Sequence, residues 1–464
     1  MTESGTQAGS WRDLLGARYL GTSTVLAGGV ALYATNEFLT ISLLPSAVAE
    51  IGGQRFYAWV TTVYLVASVV AATTVNALLA RLASRGAYLA SAAAFGVGSV
   101  MCALAPSMEI LLVGRVVQGA AGGVLAGLGY AVINSALPQR LWTRASALVS
   151  AMWGVGTVVG PAAGGLFAQF GSWRWAFGAL AVLTVAIAAL VPVALPARTG
   201  EEAQRTGWNV PVRSLLLLGG AAMSVSAAGI PADVKVSGAL LAVGAALIAL
   251  FLRVDRRPGA SVLPPSAFGP GPLKWIYLTL GLLMAATMAD MYVPLFGQRL
   301  AHLVPVAAGF LGVALSVGWT VSEIVSASVS RTRATARIVA VAPLVMAAGL
   351  ALAAVSQIDE ASLSVVTVWV VALFVAGCGI GMAWPHLSAW AMGDVADPAE
   401  GGVAAAAINT VQLMCGAFGA GLAGVVVNVS GHGDASAARW MFGLFAGLAA
   451  LTGIASYRAS RARS

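Results

Sequence analysis

Charge is what this chain has least of. Lys, Arg, Asp and Glu make up 9% of its 464 residues, where a soluble globular chain holds about 25%. That deficit excludes a water-facing surface of ordinary size. Histidine is nearly absent, with 3 in the chain, so a membrane-embedded enzyme built on clustered histidines or a metal set has no material here. The three cysteines, Cys102, Cys378 and Cys415, all fall in apolar runs and suggest neither a disulfide framework nor a metal site. No cofactor is implied. Polar stretches are also few, which leaves no room for a sizeable soluble domain. The alternating polar pattern of a membrane barrel is missing. Small residues at Ser46–Ala49 resemble a cleavage site, but the apolar stretch before them is too long and carries Glu37. A cleaved signal peptide is therefore not expected.

What the chain has is hydrophobic surface, at 59% of residues. Runs long enough to cross about 30 Å of hydrocarbon recur from end to end. They predict an all-α polytopic membrane protein. About fourteen spans are expected, at 20–48, 57–80, 87–106, 109–137, 142–170, 174–196, 213–231, 235–253, 273–298, 304–329, 337–356, 362–392, 401–428 and 437–457. The seventh is short and ends at Pro231.

Basic residues orient these spans. With the N-terminus inside, 19 of the 25 Lys and Arg fall in cytoplasmic segments, 5 fall outside, and Arg115 alone sits within a span. Such a bias is the positive-inside signal of a cytoplasmic membrane protein with both termini in the cytoplasm. An odd span count would scramble it. The net charge of +8 is thus a topology signal, aided by anionic lipid, and implies no nucleic acid.

Two polar breaks, 196–211 and 255–274, bracket a two-helix insert. The resulting plan is a cytoplasmic tail at 1–19, a six-helix bundle at 20–196, loops and insert at 197–272, a second six-helix bundle at 273–457 and a tail at 458–464. The first dozen or so residues are expected to be disordered. Equal helical halves suggest a transporter whose substrate path runs between two bundles near the midplane.

The stretch GVGTVVGPAAGG, Gly154–Gly165, places five glycines and a proline inside one span. In a soluble helix each interior glycine costs about 1 kcal/mol and a proline about 3. Among packed membrane helices small residues instead let backbones approach closely. Gly156, Gly160 and Gly164 fall on one face, and Pro161 cannot donate to the carbonyl of Thr157.

Four ionisable side chains lie within spans: Glu37, Arg115, Asp290 and Glu323. Each costs a few kcal/mol at the bilayer centre, so each must face protein or a water-filled cavity. Glu37 and Asp290 occupy similar places in the first span of each half and are candidate proton carriers. Glu37 could instead be a structural partner of Arg115. Arg115 holds its proton permanently and can only bias a neighbouring carboxyl. Glu323 lies one turn after Trp319 on the same helix face, a pairing suited to a lipophilic cation or to an ordinary polar contact between helices. Asn36, Trp153, Tyr292 and Trp319 are the candidate substrate contacts. His386 reads as a packing residue, and His302 and His432 lie near the outer face.

These residues resemble the major facilitator superfamily, and within it the fourteen-span drug:proton antiporters. The likeness covers nearly the whole chain. Gly160, Pro161, Gly164 and Gly165, with Gly156 before them, match the fifth-helix antiporter motif, which in the family packs against the second half and is linked to export. Arg115, Gln118 and Gly119 in LLVGRVVQGAAGG match the fourth-helix motif, whose arginine is implicated in proton coupling. GSWRWAFG, with Trp173, Arg174, Trp175 and Phe177, resembles the turn entering the sixth helix. Two places depart from the pattern. In the loop after the second helix, Asn76, Ala80 and Ala83 replace glycine, aspartate and glycine. Arg85, with Arg81 nearby, keeps the basic character of this conformational loop. The usual first-helix aspartate, nine residues before Pro45, is Asn36, with Glu37 beside it.

The resemblance implies the major facilitator fold, two six-helix bundles plus two extra central helices. It implies a monomeric antiporter in contact with membrane lipid, exporting lipophilic, often cationic small molecules in exchange for protons, with the proton gradient as energy source. An exporter of a lipid or endogenous metabolite, a solute uptake transporter and a non-transporting sensor are the alternative readings.

Overall fold

The computed structural model describes residues 10–195, 211–231, 234–256, 261–329, 331–397, 400–430 and 433–461. Arg198, Arg205, Arg257, His432 and Arg463, nearly all of the 196–211 break, the outermost residues of both tails and the side chain of Asn76 lie outside the described residues. Among those described, all regular structure is helical.

Fourteen principal helices follow in order: α1 (Leu20–Ile51), α2 (Tyr57–Ala72), α3 (Val75–Ala103), α4 (Met108–Ala131), α5 (Trp142–Phe170), α6 (Trp173–Ala194), α7 (Val212–Ala227), α8 (Val234–Asp255), α9 (Leu273–Ala301), α10 (Pro305–Ala327), α11 (Thr332–Val355), α12 (Leu363–Gly393), α13 (Gly401–Val429) and α14 (Asp434–Arg461). Twelve helices among the described residues are long and apolar enough to cross a membrane. The two expected spans outside that set are α1 and α7. α1 is long, at 32 residues, but Asn36, Glu37 and Thr40 interrupt its apolar run. α7 has only 16 residues. Outward-facing apolar side chains are those of lipid-facing helices: on α6 alone Val182 is 70% exposed and Val193 91%. In water such a surface would be an aggregation site.

The chain divides into two compact units. The first comprises residues 1–40 and 67–210, and the second residues 41–66 and 211–464. In the first unit α3 and α4 lie in backbone contact. A Cβ on Gly98 would come 2.8 Å from the Gln118 amide nitrogen, and one on Gly114 would come 3.1 Å from that of Cys102. The turn into α6 is held by its own residues. The Ser172 hydroxyl caps the helix by accepting from the Arg174 amide. The Arg174 guanidinium donates to the Ala105 carbonyl at 2.9 Å and lies 4.4 Å from the centre of the Trp173 ring. The motif thus ties the start of α6 to the end of α3.

In the second unit the short helix α7 fills a slot between α13 and residues 57–66. The Trp59 indole donates to the Ser226 carbonyl at 3.0 Å, and the Ser226 hydroxyl donates to that of Thr62 at 2.8 Å. On the α13 side, a Cβ at Gly421 would press on the Ser226 hydroxyl at 2.6 Å. α8 packs on α7, and only 17% of its most apolar 18-residue stretch is buried.

α3 contains one strained residue. Ala83 has φ 53° and ψ 176° inside the helix, a backbone region that is essentially glycine-only and costs about 1–3 kcal/mol otherwise. It stands where the resembling loop has its second glycine, between Arg81 and Arg85. Ala83→Gly is therefore expected to raise the thermal midpoint in detergent, despite the extra chain entropy of glycine. A lowered midpoint would count against the strained backbone.

Candidate transport site

Two groups of polar side chains lie within the helices, one in each unit. In the first unit the centre is Arg115, 1% exposed on α4. Its Nη1 donates to Asn36 Oδ1 and to Gln118 Oε1, both at 3.0 Å. Gln118 passes the network on, donating from Nε2 to the Ser99 hydroxyl at 2.9 Å and accepting from the Cys102 thiol at 3.4 Å. Thr40 donates to the Asn36 carbonyl at 2.7 Å, holding the polar turn of α1. A guanidinium buried among helices is held there by oxygens that replace its water.

Asn36, rather than Glu37, takes the arginine. Adjacent helical residues differ by about 100° in direction, and it is the Asn36 side chain that meets the guanidinium. It is 8% exposed, and its Oε2 has no hydrogen-bond partner among the described residues. Glu37 is a buried carboxyl near a cation that it does not bond. One turn back on its face lies Tyr33, whose ring meets Trp153 of α5 edge-on at 5.5 Å.

The glycines of α5 build this side of the site. A Cβ at Gly156 would approach Ala34 Cβ at 2.7 Å, and one at Gly160 would approach Phe38 Cβ at 2.6 Å. Within their unit, these glycines seat α5 directly on the turns of α1 that carry Asn36 and Glu37. Pro161, Gly164 and Gly165 are buried on the same helix.

In the second unit Asp290 sits in a 3-10 turn, Met288–Tyr292, that interrupts α9. The cause is local. Pro294 has no N–H to give the Asp290 carbonyl, so Val293 donates to it instead and tightens the turn. The Asp290 carboxylate faces Gly312 of α10, where a Cβ would lie 3.2 Å from Oδ1. That oxygen is buried without a partner among the described residues. Tyr292 is fully buried, stacked on Tyr57 at 4.7 Å and on Phe296 at 6.0 Å. Glu323 is partly exposed on α10, and Trp319 on the preceding turn packs against Trp384 of α12 with ring centres 5.3 Å apart.

Asn36, Glu37, Arg115 and Trp153 thus come together in one unit, and Asp290, Tyr292, Trp319 and Glu323 belong to the other. Sequence reasoning passed over Ser99 and treated Cys102 as packing. Both lie on one face of α3, three residues apart, but only the position of Gln118 reveals that face as polar. Arg81 is exposed and Arg85 half-buried beside the break at Ala83. His386 is bonded to Ser326 at 2.9 Å, consistent with a packing residue.

Comparison with known proteins identifies this architecture. Residues 26–420 match the Major Facilitator Superfamily. The chain is 61% identical to a probable multidrug-efflux transporter found in two strains of Mycobacterium tuberculosis, over 99% of this chain and 98% of the relative. It is 25% identical to the multidrug transporter protein MdtP of Bacillus subtilis, over 83% of this chain and 71% of that protein. Among solved structures it resembles a POT family transporter in complex with 5-aminolevulinic acid, with TM-score 0.67, 11% identity and coverage of 94% and 95% of the two chains. It also resembles a D-xylose-proton symporter, with TM-score 0.63, 14% identity and coverage of 94% and 96%. At such identities the solved structures speak for the fold alone. A multi-pass helical chain with this match across most of its length is a transporter rather than an enzyme, and it belongs to the major facilitator superfamily.

Proposed function

We propose that this protein exports lipophilic, often cationic compounds across the cytoplasmic membrane in exchange for protons. The observation that carries this reading is the 61% identity, over 99% of the chain, to relatives named probable multidrug-efflux transporters. The chemistry of the first unit supports the proton step. Glu37 is the carboxyl beside a network whose cation, Arg115, cannot give up its proton. Asp290 is the matching carboxyl of the second half, and Glu323 the third. Asn36, Trp153, Tyr292 and Trp319 contact substrate as the site opens to either side. Two six-helix bundles, 20–196 and 273–457, move about the central path, with α7 and α8 between them in sequence. The α5 glycines act in export, and Arg81 and Arg85 flank the cytoplasmic conformational loop. Both termini face the cytoplasm, and the transporter works as a monomer.

Everted vesicles containing the protein test the reading. On energisation they should accumulate ethidium, and a protonophore should abolish that accumulation. No protonophore-sensitive movement of ethidium or other lipophilic cations would overturn it and favour a lipid or metabolite exporter. Movement in the reverse sense would favour uptake.

A further inference from the structure

We propose that α7 is a strap that ties α2 to the second half of the chain, and that opening of the path toward the outer side requires its grip on α2 to break. The proposal rests on the export reading for its topology and its alternating access.

The grip is polar and local. Residues 57–66 come from the first half of the sequence, yet they group with residues 211–464. Part of that contact is direct. A Cβ at Gly424 of α13 would meet Ala58 Cβ at 2.5 Å, and one at Gly416 would lie 3.4 Å from Leu65 Cδ1. The rest runs through the end of α7. The Trp59 indole donates to the Ser226 carbonyl, and the Ser226 hydroxyl donates to that of Thr62, at 3.0 and 2.8 Å. Thr62 in turn donates to the Ala58 carbonyl at 3.1 Å. On the opposite side a Cβ at Gly229 would come 3.0 Å from the Val425 amide nitrogen of α13. Ser226 is thus buried between α2 and α13.

Length makes α7 depend on this slot. At 16 residues it rises about 24 Å, short of the roughly 30 Å of hydrocarbon, so the bilayer alone does not hold it across. A strap also needs a fixed far end, and α8 supplies it. A Cβ at Gly244 of α8 would lie 3.4 Å from the Ala221 carbonyl oxygen of α7. Asp255, the last residue of α8, is buried and accepts from the Val262 and Leu263 amides, both at 2.8 Å. The loop so formed is pinned to the connection between α12 and α13. There the Ser266 hydroxyl donates to the Glu400 carboxylate at 2.5 Å and accepts from the Ala396 amide at 2.8 Å. The far end is therefore held by a carboxylate at each of two points, whereas the grip on α2 uses neutral groups. Neutral hydrogen bonds between membrane helices are individually weak, and charge-assisted ones are stronger. The α2 end is the one that lets go.

A buried reporter reads the opening. Leu65 is buried toward α13, so the thiol of Leu65→Cys should react with a membrane-impermeant maleimide only when α2 parts from α13. Labelling is measured in right-side-out vesicles holding the full-length protein, after subtracting the labelling of protein without the reporter. Trp59→Phe with Ser226→Ala removes both bonds and keeps an apolar body at each position. The pair should speed reporter labelling about three- to tenfold, the scale of one or two such bonds. An unchanged or slower rate would overturn the strap. Should the pair not fold, Ser226→Ala alone decides on the same readout. A second arm joins the two helices covalently. Oxidation of Thr62→Cys with Ser226→Cys should stop ethidium accumulation in everted vesicles, and a reductant should restore it, with neither single cysteine responding. Accumulation at the wild-type rate by the crosslinked protein would show that α7 travels with α2, and would overturn the strap. A wild-type protein that moves no cation would sink the export reading, and the labelling rate would still decide the strap.

Discussion

Glu37→Gln is expected to reduce proton-driven efflux by about 10²-fold or more, the scale associated with removing a positioned proton-transfer group. The change is nearly isosteric, so folding and packing should be spared. Glu37 is buried and its Oε2 has no hydrogen-bond partner among the described residues. A carboxyl so placed loses little structural bonding on becoming an amide, yet loses all ability to titrate. Its neighbours cannot take over. Asn36 does not ionise, and Arg115 remains charged throughout. Everted-vesicle transport of ethidium, with expression and thermal midpoint matched to wild type, reads the effect. Retention of more than about half of wild-type efflux would remove Glu37 from the proton path. Asp290→Asn, in the other unit, is the companion variant. A large loss there with none at Glu37 would move the coupling group to α9.

Arg115→Ala is expected to damage both the fold and transport. Arg115 is a large side chain only 1% exposed, and one of its nitrogens serves Asn36 and Gln118 together. Truncation leaves a cavity and strips those two acceptors of their cationic donor. Each buried acceptor left short of a partner costs about 1–3 kcal/mol. The cost of burying the charge itself is relieved, so the net loss should lie below the sum. The expected result is a thermal midpoint lower by several degrees, with efflux lost. Arg115→Lys keeps the charge but replaces the planar fork by a shorter point donor. It should recover part of the midpoint and little of the efflux, because the double contact across α1 and α4 cannot be rebuilt. An unchanged midpoint in Arg115→Ala would show that the network carries no stability.

Much of the architecture was legible without coordinates. Helical runs, the insert and the family resemblance all rest on hydrophobic length and short local patterns. The exceptions are instructive. α1 and α7 were expected as ordinary spans. One is diluted by its polar turn, and the other stops at 16 residues and packs in the slot formed by α13 and residues 57–66. The glycines of α5 were read from the family as a seam toward the second half. Within their own unit they seat α5 on Ala34 and Phe38, beside the polar turn of α1. The departure at Ala83 was visible as a missing glycine. That its backbone still holds a glycine-type conformation was not visible, because φ and ψ follow from the path of the whole loop.

The sequence by itself determined that this is a many-helix membrane protein with four ionisable groups placed in hydrocarbon. Span length and charge count are local properties, and the bilayer penalises them wherever they occur. Only the tertiary structure decided that Asn36, and not its neighbour Glu37, receives Arg115. That choice turns on about 100° of helix rotation, which is set by how α1 meets α4 and α5 along glycine faces. It likewise decided that Trp384, more than fifty residues further along the chain, packs against Trp319. Contacts across helices depend on rotation and separation together, and neither is written in any one segment.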